Sequence, residues 1–238
     1  MKTFFYNRTA YRLRLPNTSV PQCFVDLDDC FDTLFQTPAG VTQEVVILAE
    51  NLSRRLADVE LFAQCISDVQ KNSEPFHAAI LIGTFLVAYF NACKSLLDAG
   101  AIALAKIYSL RLKDKEKDFS KAAFWRQLKD QKGVVVVDRY NAFTDLFREI
   151  VKWRDAAVHR LTPFVIVTSP EPPEKAPREK VEIKMVDQPD IDVSAIAGRA
   201  KDIRWIEPLY LHNRWQKQLL EFCECICLDI RAETIKKP

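Results

Sequence analysis

Apolar and polar positions alternate in two different rhythms along this chain, and the change of rhythm marks its elements. Residues 3–15 alternate in part, with Tyr11, Leu13 and Leu15 on one side and Arg12 and Arg14 on the other, which predicts a strand ended by Pro16. A second short extended piece is expected at Cys23–Leu27. From Thr42 the period becomes helical: Val45, Leu48, Leu52, Leu56, Val59 and Phe62 trace one stripe, and Asn72, Ser73 and Pro75 end it. The next helix, about Phe76–Leu110, is apolar nearly all round. Its sixteen uncharged residues between His77 and Lys94 fall short of the roughly 20 that span a bilayer, and Gly83 and Asn91 interrupt them. A central buried helix of a bundle is expected there, carrying an i, i+4 pair, Lys94 and Asp98.

The charged run Arg111–Asp118 reads as a connection, and Phe119–Lys132 as an amphipathic helix with Phe124, Trp125 and Leu128 inward, stopped by Gly133. Val134–Val137 is readable as a strand by propensity or as an extended joint. Asp138–Leu161 reads as one helix. Beyond it Pro163 forces the chain out of helix, and Phe164–Val167 and Val181–Val186 read as strands around an exposed loop, 168–180, that holds Pro170, Pro172, Pro173 and Pro177. A short helical turn near 194–199 precedes the last long helix, about 208–234, whose stripe is Leu211, Trp215, Leu219, Phe222, Cys223, Ile226 and Ile230.

The predicted fold is therefore mainly α: a single-domain, up-and-down helical bundle over 1–238. A small antiparallel β addition comes from the N-terminal residues 3–27 and the hairpin 163–187.

The helix at 138–161 carries the chemistry. A 100° step places Phe143, Phe147, Ile150, Val158 and Leu161 on one face with Arg154 in its middle, while Asp145, Arg148, Lys152, Asp155 and His159 form a polar stripe opposite. A guanidinium keeps its charge, so Arg154 needs an acidic partner such as Asp98, an anionic ligand, or an interface. His159 can move protons near neutral pH, and Asp155 one turn earlier can orient its ring. Arginine, aspartate and histidine together suit phosphate chemistry.

Composition narrows the classes. The chain has 238 residues, 48% hydrophobic and 28% charged, and a net charge of +2, so bulk charge does not announce a nucleic-acid protein and any RNA contact is local. Seven cysteines, an odd number, with no cleavable leader pattern at the N-terminus, imply reduced thiols and a cytoplasmic location. In Cys223, Cys225 and Cys227 a helix would splay the middle thiol by about 160°, which favours buried structural cysteines over a metal site. Five glycines and no G-K-[S/T] segment exclude a phosphate loop, and no membrane segment is expected.

Arg154, Asp155 and His159 match R-[N/D/H]-x-x-x-H, and the chain resembles the HEPN superfamily of small α-helical proteins over about 44–161 together with the last helix. The resemblance implies a metal-independent endoribonuclease without cofactor. A homodimer formed through the motif helix brings arginine and histidine from two copies to one RNA phosphate, leaving a 2′,3′-cyclic phosphate. Arg154 would hold the charge on the phosphorus oxygens, His159 would act as base or acid, and Asp155 would support them. Arg148, Lys152 and Arg160 are the expected RNA contacts. The resemblance further implies a toxin–antitoxin or antiviral defence role and an antitoxin or regulatory protein as partner. In members silenced by a nucleotidyltransferase antitoxin, a tyrosine lies two places after the histidine; Leu161 stands there, so that control is not expected. The alternative is a non-catalytic helical module whose polar seam docks a protein or nucleotide.

Overall fold

The computed structural model describes residues 43–159, 163–169, 181–189, 191 and 203–235. The strands expected at 3–15 and 23–27, most of the loop 168–180, the turn at 194–199, and Arg160 and Leu161 lie outside the described residues. Within them the fold is mainly helical with a small antiparallel sheet. The elements are α1 (Gln43–Asn72), α2 (Pro75–Ile107), a 3₁₀ turn (Asp114–Glu116), α3 (Ala122–Lys132), α4 (Val134–Asn141), α5 (Thr144–His159), β1 (Val165–Thr168), β2 (Glu182–Val186), β3 (Trp205–Ile206) and α6 (Tyr210–Ile235). The described residues fall into two compact units, one from those within 1–58, 95–147 and 217–238, the other from those within 59–94 and 148–216.

The core of the first unit is aromatic. Phe119 stacks on Phe147 at 4.6 Å and meets Phe124 edge-on at 4.9 Å, while Phe222 meets Phe147 at 5.1 Å and Phe143 at 5.8 Å. Phe119 does this from a turn rather than from the predicted helix start: α3 begins at Ala122, and the Trp125 indole N–H donates to the Phe119 carbonyl at 2.7 Å. Gly133, at φ 80°, ends α3 as expected. Gly100 of α2 lies under this cluster, where a Cβ would meet Phe222 Cζ at 2.5 Å and Ile226 Cδ1 at 2.8 Å. At Gly83, in the other unit, the nearest atom would be Val165 Cγ2 at 3.9 Å, an ordinary contact. Gly100→Ala should therefore cost about 1–3 kcal/mol by overpacking. Gly83→Ala should be neutral or gain up to about 1 kcal/mol from helix propensity. Urea unfolding of the two variants measures the contrast, and equal effects would contradict this packing.

Two predictions are corrected here. The segment 138–161 is not one helix: α4 and α5 are separated at Ala142–Phe143, where the Phe143 N–H bonds back to the Tyr140 carbonyl at 3.0 Å. Val134–Val137, left open as strand or joint, is the first turn of α4. Asp229 of α6 accepts the Tyr140 hydroxyl at 2.6 Å and pairs with Arg139, and this anchor outweighs the poor helix propensity of four valines.

In the second unit Phe90 stacks on Trp153 at 5.3 Å and Tyr89 on Trp215 at 6.3 Å. The sheet has order β1-β2-β3, antiparallel throughout, with Val165 opposite Met185 and Met185 opposite Ile206. The hairpin of β1 and β2 matches the expectation. The third described strand, Trp205–Ile206, does not: two residues are too short to leave an alternating pattern.

Helix α2 meets the length and apolarity of a membrane span, and 44% of its most apolar stretch is buried within the structure. Its residues Ile82, Leu86 and Phe90 in one unit and Leu96, Ala101 and Leu104 in the other are all at most 1% exposed.

Candidate functional site

Helix α5 is oriented by Ile150, Trp153, Ala156 and Ala157, all under 9% exposed. That face leaves Asp145, Arg148, Lys152, Asp155 and His159 exposed, so the predicted polar stripe is a surface row. Val158, expected on the apolar face, is 45% exposed. The buried face is centred nearer Trp153 than the sequence pattern suggested, which turns Val158 out and moves Arg154 from the middle of the face to its edge.

At that edge the Arg154 side chain is one-third exposed. Its Nη1 pairs with Asp155 Oδ1 at 2.8 Å. The Nε atom is buried and has no hydrogen-bond partner among the described residues. The guanidinium thus has a buried Nε and an outer fork that Asp155, itself half exposed, holds at the surface. His159 is the last residue of α5 and exposed. Five positions separate it from Arg154, which on a helix is about 140°, so one copy presents them in different directions. Arg148 and Lys152 lie on the row of Asp155 and His159. Arg160 is outside the described residues.

The sequence reading missed two buried polar clusters. In the first unit Asp229, 5% exposed, takes the hydroxyl of Tyr140 and the guanidinium of Arg139. Burial, and then the Asp229 carboxylate, push the Tyr140 and Tyr108 hydroxyls well above the usual phenol range. Lys132 completes the cluster, 2.8 Å from Glu233 and 4.7 Å from the centre of the Tyr108 ring. Every charge there is matched by a partner, which suits an anchor rather than a reaction site.

In the second unit Glu60 and His212 are buried together with Tyr89 and Cys93, beside the half-buried Gln216. Their signal was available. His212 falls in an i, i+3, i+7 register with Trp215 and Leu219, and Asp229 three positions after Ile226, so both stand on the apolar stripe of the last helix.

A cleft of about 410 Å³ in the second unit is lined by Gln70, Ser73, Pro75, Val181, Glu182, Ile183 and Glu207. Lys184 bridges its acids, at 2.7 Å from Glu207 and 3.4 Å from Glu182. None of the motif residues lines it. Compared with protein-family models, curated proteins and solved structures, the chain matches none.

Proposed function

We propose that the protein is a metal-independent endoribonuclease of the HEPN type, acting in the cytoplasm as a homodimer joined through α5, with RNA as substrate. The observation that supports this most is the surface row on α5, Arg148, Lys152, Asp155 and His159, with the Arg154 fork held beside it by Asp155. Arg148 and Lys152 offer cations to the RNA backbone. In the reaction the 2′-oxygen attacks phosphorus, its proton passes to His159, and the bond from phosphorus to the 5′-oxygen breaks. The partner's His159 supplies the proton that the leaving oxygen takes up. Arg154 stabilises the charge that builds on the phosphorus oxygens. The divergence of Arg154 and His159 on a single helix is the reason to invoke a second copy, which brings the missing direction across a dyad.

Pure protein incubated with mixed RNA in chelator should yield fragments ending in 2′,3′-cyclic phosphate, and light scattering at micromolar concentration should find a dimer. Intact RNA, or a monomer only, counts against the reading. A second reading, a non-catalytic docking module, is favoured by the Arg154–Asp155 pair itself, since an arginine already bound to a carboxylate serves as structure. It predicts no cleavage from either the native protein or Asp155→Ala.

A further inference from the structure

Glu60 of α1 and His212 of α6 are 9% and 8% exposed, and Glu60 Oε2 lies 3.7 Å from His212 Nε2. That separation is about 1 Å longer than a charge-assisted hydrogen bond between imidazolium and carboxylate. The donor that reaches Glu60 is the neutral amide of Gln216, at 3.2 Å from both oxygens. On the other side of the ring, Tyr89 Oη is 3.4 Å from Nδ1. The titratable groups that face the pair from α2 are Tyr89 and Cys93, both uncharged when protonated. On α6 the adjacent cation, Arg214, is taken by Glu149 of α5, which also accepts the Trp215 indole N–H at 3.0 Å. On α1 the next polar turn is closed on itself, Gln64 donating to Asp68 at 2.7 Å.

A carboxylate this deep with one amide donor among the described residues is costly to ionise, and so is an imidazole with no described carboxylate in hydrogen-bond contact. We propose that Glu60 and His212 form a proton-holding pair that ties α1, α2 and α6 together, with the proton resting on Glu60 and the ring neutral. Tyr89 Oη stays within hydrogen-bond reach of Nδ1 of the neutral ring, donor or acceptor according to the tautomer. Burial supports this from both sides, pushing Glu60 up to about 7 and His212 down to about 4.

The device compensates for pH. As pH rises from 4.5, the unfolded chain ionises Glu60 before the folded one does, so the glutamate alone makes stability fall until about pH 7. As pH drops from 6.5, the unfolded chain charges His212 first, so the histidine alone makes stability fall until about pH 4. Between 4.5 and 6.5 the two slopes are opposite, and the pair contributes a plateau.

The test is urea unfolding from pH 4.5 to 6.5 on the full chain, with Glu60→Gln and His212→Gln. Relative to the native protein, Glu60→Gln should become more stable as pH rises, by about tenfold in the unfolding equilibrium constant per pH unit, and His212→Gln should show the opposite slope of the same size. Parallel profiles for all three proteins overturn the proposal. Infrared difference spectra of the native protein between pH 6 and pH 8 provide a reading that needs no variant. A protonated-carboxyl band lost over that interval is expected, and its absence at pH 6 overturns the proposal even where a variant fails to fold.

Discussion

His159→Ala should reduce RNA cleavage by about 100-fold to 10,000-fold, the usual loss when a positioned acid or base is removed. The fold should barely register it. His159 ends α5 on the exposed row, away from Ile150, Trp153, Ala156 and Ala157, so removing the imidazole opens no cavity and should change stability by less than about 1 kcal/mol. Arg154→Ala should damage cleavage as much, because the fork proposed to face the phosphate goes with it. Its stability cost should also stay near 1 kcal/mol: the ion pair to Asp155 is a partly exposed one, and the buried Nε loses no hydrogen bond. Asp155→Asn keeps the side-chain shape but weakens its hold on the fork, and should give an intermediate loss of rate. The measurements are initial rates on a fluorogenic RNA beside urea unfolding of each variant. Native rates from His159→Ala would remove α5 from the chemistry and leave the docking module as the reading of this row.

Asp229→Ala should cost about 2–4 kcal/mol of stability, because it strands the buried Tyr140 hydroxyl and takes the carboxylate from the partly exposed Arg139. Tyr140, fully buried, loses its 2.6 Å acceptor, and Arg139 loses its carboxylate. Asp229→Asn keeps an oxygen for Tyr140 but removes the charge that balances Arg139, and should cost less than the alanine variant. A drop in the urea midpoint with an unchanged slope marks a loss of stability with the same surface exposed on unfolding. A change below about 1 kcal/mol for Asp229→Ala would mean that the α4–α6 anchor is not what holds Val134–Asn141 in helix. The same anchor predicts that Tyr140 and Tyr108 resist ionisation in an alkaline spectrophotometric titration until the protein unfolds.

The elements legible in the sequence were those whose burial is periodic over many turns. The stripe of α6 runs long enough that its buried face followed from spacing alone, every residue named from the pattern being buried, and of the α1 stripe Leu52, Leu56 and Val59 are buried as expected. Pro163 and the two apolar runs around the proline-rich segment marked the hairpin, and Gly133 marked the end of α3. The row of polar residues on α5 was legible for the same reason: an alternating three-and-four spacing is geometry, not packing. What spacing cannot contain is the identity of a partner far along the chain. Tyr140 and Asp229 are 89 positions apart, and Tyr89 and His212 are 123 apart, yet these meetings anchor four valines in a helix and give the buried His212 its neighbours. The rotation of α5 that puts Arg154 at the edge of its buried face was likewise set by packing, because Trp153 fills more of the core than Val158 could. Periodicity alone determined which stretches fold and where they lie flat against a core. Tertiary structure decided which of their polar groups are neutralised in the interior and which are left at the surface, since desolvation depends on what arrives from elsewhere in the chain.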